Sequence, residues 1–560
     1  MLKLIRLASV ALFGASCFAQ TTPLFQIEGT VKTAAGIPIA GTAIRMANGT
    51  GVTTNALGHY FISVPSGFVG TLQPSLGAYT FVPSMRNYSN VTTHVLQQDF
   101  VATPPAIGPA PAPLPAAVTL SAGHMAAGGG WKTTLVLVNQ STATAQVQFQ
   151  FYDENGEPWS LPLILPQASS SSPILNTVIP ANAFVQAETS SIDGPLKMGS
   201  VKITAPPGVG GYVRYRYITG QESVAALETR DAPTYLVPFD NTNGQVGALA
   251  LTNVSDQNAQ VATSVRDTNG AVIAAGPLTV PARGHINFVL ADRFGAAANR
   301  QGTVEFETPV SGKISVVASR FSSAGNYTTI PVLTAPAAGP LTFPHFALGA
   351  GWANSMQLVN MDNASSSTRI SFFDGAGAAL LSPVVLPQVG ISLNVTSLVQ
   401  QMTARGSSLL DVTGTQAFPI RIGYVQVAPT GSVNGVLCYR YPASNDETVI
   451  PLEGRDSGSY TVIFDQLNGY LYGLAMANLG SAGANISILV RDDIGTLIAV
   501  QRLAFPPGGQ TSFLLSDLFP ATTNKRGTLE FSTPADGRLS MVPIIVAPNG
   551  DFAAVPVLAP

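Results

Sequence analysis

One local signature occurs four times along this chain: an Asn closing an apolar run, an Asp fourteen positions on, and a Gly three beyond that. The copies are Asn139/Asp153/Gly156, Asn253/Asp267/Gly270, Asn360/Asp374/Gly377 and Asn478/Asp492/Gly495. They recur at intervals of 107 to 118 residues. A solenoid unit runs only ~20–50 residues, so the spacing is that of a small domain copied in tandem. Whatever this module is, it must bury a core within about 110 residues.

The first copy shows how. In AQVQFQFYD, Val147, Phe149 and Phe151 alternate with Gln146, Gln148 and Gln150, the period of a strand with one face on a core. The preceding TTLVLVN is a β-rich run, and GSVKITAP, GYVRYRY and ESVAALE supply later strands. Asp153, Glu154, Asn155 and Gly156 make a tight turn, because Asn and Gly tolerate the positive φ it needs. About seven short strands in ~110 residues predict an antiparallel β-sandwich of immunoglobulin-like type. The fold class expected for the whole chain is all-β, a tandem array of five immunoglobulin-like or transthyretin-like sandwiches.

The copies are not equivalent. GHMAAGGGWKTTLVLVN in the first matches PHFALGAGWANSMQLVN in the third, and RQGTVEFETP in the second matches KRGTLEFSTP in the fourth. A two-domain pair was therefore the unit duplicated last. Each copy is expected to carry a short helical turn crossing between sheets, as in VLADRFGAAANRQG of the second and LLSDLFPATTNKRG of the fourth, with Phe294 and Phe519 pinning it to the core. The expected boundaries are 118–233, 234–336, 337–458 and 459–560.

Residues 1–19 carry Lys3 and Arg6 before an apolar stretch ending in small residues, the layout of a secretory signal peptide cleaved after Ala19. Gly14 stands where a lipoprotein signal wants an aliphatic residue before Cys17, which disfavours a lipid anchor. Beyond residue 20 nothing offers the ~18 uninterrupted apolar residues of a transmembrane helix. The expected address is extracellular, cell-surface or periplasmic. Cys438 is the remaining cysteine, so stability rests on buried cores rather than an internal disulfide. Of the 560 residues 46% are hydrophobic and 10% charged, and the formal charge is −3 with no basic cluster. That excludes the electrostatic footprint of a nucleic-acid partner.

Residues 104–117, with the run PPAIGPAPAPLPAA, form a Pro/Ala-rich spacer, expected to be extended and semi-rigid. It follows a domain at 20–103 of different pattern. Gly29, Gly36, Pro38, Gly41, the Gly58/His59/Tyr60 strand start, Val64/Pro65/Gly67 and the later AYTFVPS resemble the carboxypeptidase regulatory-like, or Cna B-type, family of transthyretin-like sandwiches. The resemblance implies a stalk or accessory module, related to carbohydrate-binding-like folds, and no peptidase activity. Some members crosslink Lys to Asn or Asp. Lys32 and Asp99 would be the pair here, but no acid lies between residues 33 and 98 to assist them.

The candidate ligand-binding residues are His124 with Trp131 and His345 with Trp352, two pairs at one spacing around Gly-rich connections. A Trp face beside a polar ring suits stacking on a sugar or an extended peptide. The alternative is a Trp capping the end of its sandwich over a hydrogen-bonded His, and burial statistics for Trp favour it. The second and fourth repeats carry Pro238 and Ile463 at the His position and Gln245 and Tyr470 at the Trp position.

DENG and DTNG suggest calcium, but DGAG and DDIG lack the six or more oxygens it needs. Hairpin turns explain all four, and no metal or cofactor is expected. Arg214 and Arg216 read as a solvated strand face, Cys438 as a partly exposed and incidental thiol, and His285 as an exposed polar position matched by Gln510. HExxH, GxSxG, GxxxxGK[ST] and CxxC are absent, which lowers the expectation of catalysis without abolishing it.

The chain thus reads as an exported, non-catalytic rod of five sandwiches for cell-surface display, adhesion or envelope scaffolding. Its expected partner is an envelope or extracellular polymer, a polysaccharide or a protein. The alternative is a carbohydrate-binding protein using the His/Trp sites of repeats 1 and 3, and the third reading is an enzyme of unrecognised type.

Overall fold

The computed structural model describes residues 24–103 and 117–559 apart from short internal stretches. The expected signal peptide and all but the last residue of the spacer lie outside the described residues. Two compact units result, the first built round the N-terminal domain and the second holding the body of the four repeats.

The N-terminal domain is a β-sandwich of two four-stranded sheets. One runs His59–Pro65, Leu24–Thr33, Phe100–Thr103, Thr80–Val82; the other runs Gly51–Thr53, Ala43–Met46, Phe68–Ser75, Arg86–Val91. Alternation in Leu24–Thr33 sends Ile27 and Val31 inward against Ile62, Val64, Leu72 and Phe100, as a half-buried strand must. Asp99 accepts hydrogen bonds from the Thr30 N–H (2.6 Å) and hydroxyl (2.9 Å), while Lys32 is exposed.

Each repeat is a sandwich. In the second, Thr234–Asp240, Gln301–Glu307, Ala259–Asp267 and Val272–Val280 pack on His285–Val289, Val246–Asn253, Ile314–Phe321 and Tyr327–Ile330. The fourth has the same strand order. The helical turns foreseen in these two repeats are Leu290–Arg293 and Leu515–Leu518. Phe519 is buried in its core and Phe294 packs at the edge of its own. Among the described residues the first and third repeats lack the helical turn expected in every copy, and the third instead adds the hairpin Ser382–Leu386 and Ile391–Val395, giving a six-stranded sheet. In Ala145–Asp153, Val147, Phe149 and Phe151 are buried as the alternation requires.

The four repeats do not form the expected rod: they close head to tail into a ring, and the recurring signature is the device that closes it. In every copy the Asp Oδ1 accepts two backbone N–H groups of its own turn, as Asp153 does from Asn155 (2.9 Å) and Glu157 (3.0 Å). The turn then inserts into the next repeat. The carbonyl one residue past each Asp accepts a hydrogen bond across the seam: Glu154 from His285 (3.0 Å), Thr268 from Ser407 (2.8 Å), Gly375 from Gln510 (2.9 Å) and Asp493 from Phe184 (3.3 Å). The last of these joins the fourth repeat back to the first.

The signature Asn builds the receiving surface. Asn139 Nδ2 donates to the carbonyls of Ile179 and Pro180, Asn253 to those of Val280 and Pro281, Asn360 to that of Thr403 and Asn478 to that of Pro506. All four are buried, at 0–1% exposure. Each fixes a turn whose tip adopts a positive φ, at Asn182, Arg283, Arg405 and Gly508. A buried amide aimed at carbonyls that would otherwise lack donors is worth more than a surface bond.

Candidate functional site

The seams gather most of the residues singled out in the sequence. Trp131 opens its strand opposite Tyr217, at 4.9 Å between ring centroids, and meets Tyr327 of the second repeat edge-on at 5.1 Å. Trp352 repeats this with Tyr441 at 5.2 Å and Phe552 of the fourth repeat at 5.7 Å. Both tryptophans are half-buried. They lie between repeats rather than over the end of one sandwich, and the edge-on contact of Trp131 with Tyr327 is a geometry that aromatic pairs prefer.

The Trp position and its partner position alternate round the ring. Trp131 and Trp352 meet Tyr327 and Phe552 of the next repeat and Tyr470 meets Glu222, while the equivalent positions at the remaining seam are Gln245 and Glu447. Seams leaving odd repeats are aromatic; those leaving even repeats are polar. Where the fourth repeat meets the first, the Tyr470 hydroxyl donates to Glu222, whose carboxylate also lies 3.9 Å from Arg214 and from Arg216. Arg320 reaches Glu447 (3.0 Å) and the Cys438 sulfur (2.9 Å) between the second and third. The pairing of columns is legible in the sequence only when each repeat is set against its neighbours rather than against its copies.

Three expectations are corrected here. Arg214 is 8% exposed rather than solvated, with its guanidinium 5.5 Å over the Tyr470 ring. Cys438 is 5% exposed, and burial pushes its thiol up to about 11. Strand register sets it level with Arg214, Ser319 and Ile544 of the other repeats. His285 is 2% exposed and bonds His124 ring to ring, Nε2 to Nδ1 at 3.1 Å. The reason is common to all: each side chain points away from its own core, and the preceding repeat of the ring covers it.

Burial holds His124 and His345 down to about 4, and burial and the His124 ring push His285 well below the usual range. A histidine whose folded pKa lies below its unfolded ~6.5 contributes stability above pH 6.5 and loses it as pH falls toward 4, on the order of 3 kcal/mol for each of the first two. Asp551, raised to about 7 by burial, works in the opposite sense. The difference between parent and His345→Gln isolates the histidine. From pH 7 to pH 4.5 the parent's urea midpoint should fall further than the variant's, and equal falls would refute the assignment.

No family model matches the chain, and no curated relative does. Among solved structures, BcpA, the major pilin subunit of Bacillus cereus, is 12% identical over 56% of this chain and 95% of its own, with a TM-score of 0.13. The Bacteroides ovatus mixed-linkage glucan utilization protein SGBP-B, solved with a mixed-linkage heptasaccharide, is 11% identical over 74% and 89%, with a TM-score of 0.11. Scores of this size carry no argument about function. Among the described residues no helix is long and apolar enough to cross a membrane, and no group of three or more His, Cys, Asp or Glu is placed to hold a metal.

Proposed function

We propose that this chain is an exported, non-catalytic protein of the cell surface or envelope, in which the ring of repeats is a rigid head for display, adhesion or scaffolding. The N-terminal sandwich is then an accessory module of the carboxypeptidase regulatory-like kind. The observation that supports this reading is the closure itself. The chemically versatile side chains outside the cores, including His124, His285, Arg214, Glu222, Arg320 and Cys438, hold repeats to one another. A second reading, carbohydrate binding at His124/Trp131 and His345/Trp352, is supported by the part of each tryptophan left open to solvent.

One experiment separates them. As seam residues, Trp131→Ala and Trp352→Ala should each cost about 3 kcal/mol of stability, while the variants, folded in the cold, retain the parent's binding to isolated envelope material. Unchanged melting with lost retention on polysaccharide would sink the scaffold reading and establish the second.

A further inference from the structure

Closing four sandwiches into a ring leaves a space where they meet. A cavity of about 1080 Å³ is lined by all four repeats. Its walls are the last strand of each, Glu222–Ala226, Tyr327–Ile330, Asp446–Pro451 and Phe552–Ala554, with the segments that follow. Each of those segments returns to pair with the first strand of its own repeat, at Ser121/Glu228, Leu236/Leu333, Thr342/Glu453 and Thr461/Leu558. Level positions round the ring are thereby fixed, and two residues before each bridge stand Ala226, Pro331, Pro451 and Pro556.

The chemistry of this wall is narrow. Among the described residues it contains no aromatic residue and no His, Lys, Asp, Ser or Cys. Its charged members are Glu228, Arg230 and Glu453. Glu228 is held by Arg230 at 2.7 Å and by the N–H groups of Thr229 and Arg230, and Glu453 is likewise engaged. A sugar would find no ring to stack on, and a phosphate would find one guanidinium already paired. The three prolines have no N–H, so at those levels the wall offers no backbone donor, and its uncharged polar side chains are Thr119, Gln140, Thr229, Thr329, Thr334 and Asn434. Valine, leucine, alanine and proline make up most of what remains. Pockets for ligands of moderate size span ~300–1,000 Å³, sit at domain interfaces and are mainly apolar.

We infer that the cavity at the centre of the ring is a binding site for an uncharged aliphatic chain, of acyl or isoprenoid type. The charge complementarity is that of a wall whose charges are already engaged to a chain that carries none. The size of the space admits a chain folded on itself, and Ala226 and Pro451 present exposed surface to it from opposite repeats. This site is separate from the His/Trp seams and does not depend on the envelope role.

The test is calorimetric titration and native mass spectrometry of the whole mature chain with 1-dodecanol, beside maltoheptaose and inorganic phosphate. Dodecanol should bind once per chain, and Ala226→Trp and Pro451→Trp, which fill the space from exposed positions, should each weaken it about tenfold or more without changing the melting temperature. Two variants from opposite repeats keep the test decisive where one of them fails to fold. The proposal is overturned by a parent that does not bind dodecanol, by binding that survives unchanged in both variants, or by maltoheptaose or phosphate competing for the site.

Discussion

A chain cut after Gly458 is expected to lose more than its fourth repeat. In a rod, removing the last domain would leave the others as they were. In the ring, Val136, Val138, Phe184, Tyr212 and Val224 of the first repeat belong to the apolar cluster of the fourth, and the truncation exposes them together. Transfer of five such side chains to water costs on the order of 10 kcal/mol as an upper estimate, comparable to the whole stability of a domain. The Phe184 bond to Asp493 and the Tyr470 bond to Glu222 are lost as well. The truncated protein should therefore aggregate or melt far below the parent, with the first repeat unfolding early by hydrogen exchange. A soluble product that melts like the parent would show that the fourth seam carries no stability.

The second large effect is expected at the signature glycines. Gly156, Gly270, Gly377 and Gly495 all have φ between 82° and 88°, where any other residue is strained by ~1–3 kcal/mol. In addition, a Cβ would stand 2.0 Å from the Ala282 oxygen, 2.1 Å from Ala404, 2.8 Å from Gly508 and 2.4 Å from Ala181, in the same order. Each of these is a backbone carbonyl of the next repeat and cannot swing aside like a side chain. Gly325 supplies the control, since its φ is 81° and nothing lies within 4 Å of a Cβ there. Gly325→Ala should cost about 1 kcal/mol, and Gly270→Ala about 3 kcal/mol more as the seam is forced open. Across the four, losses should rank with closeness, Gly156 and Gly270 largest and Gly377 smallest. If all four variants matched Gly325→Ala in urea midpoint, the turns would be surface features and the ring would be held elsewhere.

Much of the molecule was legible in the sequence, for local reasons. Alternation in AQVQFQFYD specifies a strand and its inward face whatever surrounds it, and Asp153 with Gly156 specifies a turn because the backbone there needs a positive φ. The pairing of repeats was legible too, since the Trp131/Trp352 and Phe294/Phe519 features recur at alternate copies. What alternation cannot report is whether the outward face meets water or another domain. Arg214, Cys438 and His285 each occupy an outward, polar-looking position, and alternation alone predicts each to be solvated or partly exposed. Only the tertiary structure covers them, because the surface that does so comes from a repeat about 100 to 250 residues away in sequence. The sequence by itself determined the sandwich, its turns and its duplication in pairs. The closure of four sandwiches into a ring, and the cavity that closure leaves, depend on fitting each Asp/Gly turn against the Asn-anchored turn of its neighbour, a relation between surfaces that no single repeat contains.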